Sequence, residues 1–151
     1  MFAAIRLRGE VDLNPKIKRT LELLRLYKVN HLVLVKESEK KMLEKAQGFL
    51  TWGDINEVTL ALMLKKRARL TGNKRVDESF LKENKIGSFE ELAKSLLDGK
   101  TTLEKAGLKP IIRLSPPKKG HKRAGIKKPH HLGGALGYRS DDINALIKKM
   151  T

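Results

Sequence analysis

The 151-residue chain has no cysteine, so neither a disulfide nor a thiolate nucleophile is available to it. No apolar run is long enough to span a bilayer. The opening Met1-Phe2-Ala3-Ala4-Ile5 meets Arg6 before a secretory core could form, which makes a soluble cytoplasmic protein the expectation. Aromatic residues make up only 5% of the chain. The scarcity that decides most is that of acids, with 17 Asp and Glu against 33 Lys and Arg and a net charge of +16. A charge this large opposes compaction unless a polyanion relieves it, and the candidates are nucleic acid and an anionic membrane surface.

The excess is not spread evenly. Residues 1–36 carry +5, residues 37–104 only +1, and residues 105–151 carry +10. Between Glu104 and Asp141 there is no acid at all. A merely solvated face interleaves both signs, as residues 37–104 do, so the acid-free stretch calls for a ligand.

Ala3, Ile5 and Leu7 alternate with Ala4, Arg6 and Arg8, the pattern of a half-buried strand with a basic outer face. Asn14-Pro15 predicts a helix start, followed by Ile17, Leu21 and Leu24 at helical spacing with Lys16, Lys18 and Arg19 projecting elsewhere. His31 to Val35 is apolar on both faces and predicts a strand covered on each side. Ser38 is expected to open a second helix with Met42, Leu43 and Ala46 as its stripe. Thr51-Trp52-Gly53-Asp54 reads as a turn, with Asp54 and Glu57 as a capping box for a third helix whose apolar set is Ile55, Val58, Leu62 and Leu70. On that turn Trp52 reads first as a core or interdomain anchor, with stacking on a base as the alternative. Lys66, Arg67 and Arg69, beside Lys65, suit the negative end of the helix dipole, and RNA contact is their second reading.

Residues 71–86 read as a polar loop with a short helical turn from Asp77. Ser88 and Glu91 form another capping box before Phe89, Leu92, Leu96 and Leu97. Residues 109–115 read as a strand on which Arg113 could share an outer face with Arg6 and Arg8. From Pro116 to Arg139 regular structure is expected to stop, since five glycines, three prolines and seven Lys or Arg leave little to bury. Such a segment is expected to be disordered by itself and to order against phosphates. Its basic side chains are Lys118, Lys119, Lys122, Arg123, Lys127, Lys128 and Arg139, accompanied by His121, His130 and His131. Ile143, Leu146, Ile147 and Met150 then form the stripe of a final helix that docks on the body and makes the arm a tethered loop.

Catalytic chemistry finds no support. His130-His131 lacks nearby cysteine or acid to complete a metal site. Leu132-Gly133-Gly134-Ala135-Leu136-Gly137 matches neither a dinucleotide fingerprint nor a phosphate-binding loop. No enzyme, metal or cofactor is expected. A DNA-compacting protein would be marked by a helix-turn-helix, which is not found, and a membrane-surface protein by exposed bulky apolar anchors, whereas the arm's only aromatic is Tyr138.

Several segments together resemble the ribosomal protein L-thirty family of the large subunit, whose eukaryotic members are called L-seven. They are Ile5-Arg6-Leu7-Arg8-Gly9, Thr20 to Leu26, Val29 to Val35, Thr51-Trp52-Gly53-Asp54-Ile55, Lys66-Arg67-Ala68-Arg69-Leu70, and Leu114-Ser115-Pro116-Pro117-Lys118-Lys119-Gly120. The order holds over nearly the whole chain. Lys40-Lys41 stands before Met42-Leu43 where the family often has Tyr-Arg-Gly, so no contact is carried over to that turn. With neither the shortness of bacterial members nor a long basic N-terminal extension, the arrangement resembles archaeal members.

The resemblance implies an α+β fold, a small antiparallel sheet with helices on one face in β-α-β-α-β order, somewhat ferredoxin-like, plus a helical second part and an extended basic arm. The expected division is a 1–55 core, a 56–108 helical region, a 109–115 returning strand, a 116–139 arm and a 140–151 docking helix. It also implies binding to large-subunit rRNA as a monomer within the ribosome, beside other ribosomal proteins, and leaves 5S rRNA open as a neighbour. The residues expected to carry RNA contact are the arm's cations and histidines, with Arg6, Arg8, Lys16, Lys18, Arg19, Lys66, Arg67, Arg69 and Arg113.

Overall fold

Two short side chains, Ala3 and Ala4, sit at the centre of strand β1 (Phe2–Arg6), and every residue of that strand is buried. In the computed structural model, which describes residues 1–11, 13–76, 80, 87–121 and 123–151, β1 is the middle of a five-stranded sheet ordered β4-β2-β1-β3-β5. Strand β2 (His31–Val35) and strand β3 (Leu50–Asp54) flank β1 antiparallel. The two-residue β4 (Ile112–Arg113) joins β2 antiparallel, and β5 (Gly137–Tyr138) joins β3 parallel. The predicted turn at Asp77 and its surroundings lie outside the described residues.

The expected α+β class forms, with the sheet antiparallel except at its β3–β5 edge, which is parallel. The cover differs: helices pack on both faces, not one. Strand alternation sends Phe2, Ala4, Val33, Val35, Leu50 and Trp52 to one face, against helix α1 (Pro15–Leu23) and helix α2 (Lys40–Lys45). It sends Ala3, Ile5 and Leu32 to the other, against α3 (Glu57–Arg67), α4 (Phe89–Leu97) and α5 (Asp142–Met150). A strand buried on both sides must be apolar at successive positions, which is why β1 and β2 read as they do.

Local signals place most helix starts. The Asn14 side chain accepts from the Lys16 amide and Pro15 takes the first helical position. Ser88 accepts from the Glu91 amide, and the Glu91 carboxylate accepts from Gly87. Helix α3 is phased otherwise than expected. Asn56, not Asp54, caps it by accepting from Thr59, and the helix ends at Arg67. Leu60, Met63 and Leu64 are buried whereas Val58 is 69% exposed. Residues 58–64 are almost uniformly apolar, so periodicity allows two phases and the cap chooses between them.

Thr51 to Asp54 is likewise strand rather than turn. Gly53 is there because β3 and the start of α5 touch: a Cβ on it would lie 2.2 Å from the Ser140 carbonyl oxygen and 3.1 Å from Ile143. Ser140 uses that oxygen to accept from the Asp54 amide at 3.2 Å.

Arg6 corrects the expectation of a basic outer face on β1. It is 2% exposed, and its guanidinium donates to the carbonyls of Arg8, Leu26 and Tyr27 at 2.9, 2.8 and 2.7 Å. The last two follow the end of α1, where Arg25 takes a left-handed φ of 59° and the Leu26 amide closes back on Leu21. Several carbonyl acceptors at once are what make a buried guanidinium tolerable. His31 sits in the next strand on the same face, in a cross-strand row with Arg113, and its Nδ1 accepts from the Lys28 amide at 3.4 Å. Burial first, then the charges of Arg113, Lys28 and Arg6, hold the His31 imidazole below its ordinary ionisation range.

Two outcomes are expected. Gly53→Ala should cost about 1–3 kcal/mol through overpacking against Ser140. Gly9→Ala, with open space around it, should cost far less; equal thermal midpoints for both variants would contradict the tight β3–α5 approach. For His31, the neutral ring is favoured in the folded state. Its contribution is therefore full above the unfolded value of 6.5 and is lost as pH falls through the lower folded value. The midpoint of the free protein should drop between pH 7.5 and 5, and His31→Gln should remove part of that drop; an identical drop in both proteins would refute it.

Candidate nucleic-acid interface

The segment after β4 leaves the body under control of α5. The Ser115 amide donates to Met150 and the Lys118 amide to Lys149, both at 3.0 Å, so the chain is pinned along the last turn of the helix before the glycines begin. From Lys128 it turns back on itself. Lys128 O accepts from Ala135 and Leu136 at 3.0 and 3.1 Å, and the His130 amide donates to Leu136 at 2.8 Å. This ring closes only around glycine, because a Cβ on Gly134 would lie 2.0 Å from Lys128 O. Ala135 and Leu136 enter the core, β5 pairs with β3, and the chain passes into α5.

The stretch expected to lack regular structure therefore divides. Residues 118–121 and 123–128 belong to the outer loop; residues 129–139 are folded, with a 3-10 turn at His130–Leu132 and a strand at Gly137–Tyr138. Composition misses this because the anchoring comes from a few small apolar groups and many backbone hydrogen bonds.

The cations expected to contact RNA fall into three settings. Lys118, Lys119, Arg123, Lys127, Lys128 and His131 are exposed on the arm, as are Lys16, Lys18 and Arg19 on α1, Lys66 on α3 and Arg113 at the β4 edge. A second set is half-buried. The Arg8 guanidinium lies 4.9 Å over the Phe49 ring and donates to Gly48 at 3.3 Å, while Arg67 ties α3 to Ser115 and to the Thr151 carbonyl at 2.5 and 3.1 Å. Arg69 bridges to Arg75, and His121 and His130 sit between arm and helix. The third set is buried. Besides Arg6, Arg139 is 8% exposed and donates to Thr51 Oγ1 at 2.8 Å and to the Ala135 carbonyl at 2.7 Å. Its backbone and guanidinium join the end of the arm to β3, so it is an anchor and not part of an outer surface. Lys122 lies outside the described residues.

These exposed groups do not form one patch. Helix α1 is on the opposite face of the sheet from α5, so its cations and those of the arm are separate surfaces. Reading by segment misses Lys148 and Lys149, exposed on the last turn of α5 beside the Lys118 tether. Their signal is the docking stripe, which dictates that the opposite face of that helix meets the solvent next to the arm.

Trp52 is 3% exposed, edge-on to Phe2 at 5.1 Å and covered by Tyr138 at 4.5 Å, so it is a core anchor and offers no free face to a base. The Tyr138 hydroxyl donates to Asp54 at 2.7 Å, which pushes its ionisation above the ordinary value. His130 Nε2 lies 3.2 Å from Asp142. Among the described residues no group of three His, Asp or Glu could hold a metal ion, and no helix is long and apolar enough to cross a membrane.

Comparison with known proteins finds relatives that match the sequence over nearly its whole length. Residues 2–47, the β1-α1-β2-α2 segment, match the family model of ribosomal protein L30p/L7e. The chain is 47% identical to the large ribosomal subunit protein uL30 of Nanoarchaeum equitans over 149 residues, 97% of this chain and 96% of that one. It is 49% identical to uL30 of Thermofilum pendens, covering 99% and 98%, and 44% identical to uL30 of Methanosphaera stadtmanae, covering 99% of each. Such identity over both the sheet and the C-terminal arm leaves one assignment: the chain belongs to the uL30 family of large-subunit ribosomal proteins, with archaeal relatives, and that is a family of structural proteins rather than enzymes.

Proposed function

We propose that this chain is a structural constituent of the large ribosomal subunit in the cytoplasm and fastens rRNA through phosphate contacts. The observation that carries the reading is the acid-free stretch, whose outer loop keeps Lys118, Lys119, Arg123, Lys127 and Lys128 exposed while both of its ends are pinned to the body. A loop held at two points spends less conformational entropy on binding than a free tail of the same composition. Its lysines and arginines make charge-assisted bonds to phosphates and release counterions.

Lys118, Lys119, Arg123, Lys127 and Lys128 form the main contact surface in this reading. Lys16, Lys18 and Arg19 form a second one on the other face of the sheet, so the protein bridges two RNA segments. Arg8, Lys66, Arg67, Arg69 and Arg113 are subsidiary, and His121, His130 and His131 accompany the loop. Phosphate contacts position without reading sequence, so selectivity comes from the shape of the folded RNA. Residues 116–139 are the RNA-facing arm, with 129–139 as its root. The curated relatives are named as large-subunit proteins, which supports rRNA and neighbouring ribosomal proteins as partners; 5S rRNA is one RNA to be tried.

The test is co-sedimentation with large subunits through a high-salt wash, with affinity measured for large-subunit rRNA, 5S rRNA and duplex DNA at equal salt. Alanine at Lys118, Lys119, Arg123, Lys127 and Lys128 together should leave the thermal transition nearly in place. It should weaken rRNA binding and reduce the log–log salt slope by about 0.7–0.9 for each phosphate that the variant no longer neutralises. An unchanged slope would remove the arm from the interface, and equal affinity for duplex DNA would refute the preference for folded rRNA.

A further inference from the structure

A small pocket of about 200 Å³ opens between the arm and α5, lined by His121, His130, Arg139, Asp142 and Lys149, among others. That is below the roughly 300–1,000 Å³ usual for organic ligands. Its lining sets charged and imidazole side chains among apolar ones such as Ala145 and Leu146, which suits a small charged group. What sets it apart is Arg139. The side chain is 8% exposed, and its hydrogen bonds go to neutral acceptors, Thr51 Oγ1 and the Ala135 carbonyl. Among the described residues no carboxylate forms an ion pair with it. A guanidinium keeps its charge when buried, so a positive charge borders this pocket, offset in part by the nearby Asp142 carboxylate. The one acid in the lining, Asp142, is turned to His130 at 3.2 Å.

We propose that this pocket seats a single phosphodiester group of the bound RNA, and that filling it takes up a proton on His121. The proposal rests on the rRNA-binding reading above. Around His121 stand Lys149 and Asp142 from α5, Arg139 from the turn before it, and His130 from the 3-10 turn. With His121 neutral the lining holds the cations Arg139 and Lys149 against the Asp142 carboxylate. Protonation of His121 adds one more cation, so occupancy by an anion and protonation of that ring favour each other. Burial and the Arg139 charge keep His121 below its ordinary ionisation range in the free protein, and so neutral near pH 7. A phosphate oxygen accepting from the imidazole raises that value in the complex, and affinity therefore rises as pH falls.

The experiment measures binding of the full chain to large-subunit rRNA at pH 7.5 and 6.0 and constant ionic strength. A parallel arm follows the His121 ring resonance in inorganic phosphate against chloride. Affinity should rise about threefold or more on acidification, within a ceiling of about tenfold per pH unit for one proton. His121→Gln, with its thermal midpoint checked, should flatten that dependence, and Lys149→Gln should weaken binding at both pH values. Inorganic phosphate should raise the ionisation of His121, and rRNA should compete with it. Equal pH dependence in the parent and His121→Gln would overturn the seat while leaving rRNA binding intact. Phosphate binding that rRNA does not displace would overturn RNA as the occupant. Failure to bind rRNA at either pH would refute the reading beneath it.

Discussion

The contact on which the rest of the molecule depends is the seam between residues 51–56 and 137–144. Thr51 donates to the Gly137 carbonyl at 3.0 Å and accepts from Arg139 Nε, and the Arg139 amide donates to the Trp52 carbonyl at 3.0 Å. Asp54 and Ser140 are bonded through their backbones, and the Asn144 side chain donates to the Asp54 carbonyl and accepts from the Asn56 amide. Asn56 in turn caps α3. One polar strip thus fixes the fifth strand, starts the third helix and sets the angle of the last. Without it the face made by α3 and α4 would lack its third helix, and the arm would have one root instead of two.

The basic residues of this chain stand in two different settings, and the buried setting is taken by arginines. Among the described residues the two buried permanent cations, Arg6 and Arg139, are arginines, and so is Arg67, which links three segments. A planar fork of five donors can satisfy several carbonyls at once and stay charged. Among the described residues, the lysines proposed for RNA contact stand in solvent, as suits a compact, strongly hydrated charge on a flexible stem. Net charge therefore overstates the charge available at the surface, since part of it works as internal scaffolding.

Much of the fold is legible where one local signal has one reading. Asn14-Pro15, the Ser88–Glu91 pair and the stripe from Ile143 to Met150 each fix an element. Legibility fails where a residue serves a distant partner. Thr51-Trp52-Gly53-Asp54 resembles a turn in isolation, because the need for Gly53 comes from Ser140 and the need for Thr51 comes from Arg139. The strand character of Gly137-Tyr138 is hidden for the same reason. Arg6 reads as solvent-facing because alternation says which side of a strand a residue occupies, not whether α1 and its following loop cover that side. For the candidate interface, composition identifies the arm, but only the helix docking brings Lys148 and Lys149 beside it.

The parallel pairing of β5 with β3 also bears on how the chain reaches its native state. Thr51 and Gly137 are partners separated by 86 positions. The antiparallel β2–β1–β3 group, with α1 and α2 across one face, is made of early, comparatively local contacts. The opposite face stays incomplete until Ala135, Leu136 and α5 have been synthesised. During translation the nascent chain thus carries an open apolar surface and an unfilled sheet edge beside β3 for most of its elongation. Long-range closure of this kind is slow, and surfaces exposed in the interval are prone to self-association. Most of the positive charge arrives only with that closing segment: residues 1–104 carry +6 of the +16, so charge repulsion between copies is weakest while the surface is open.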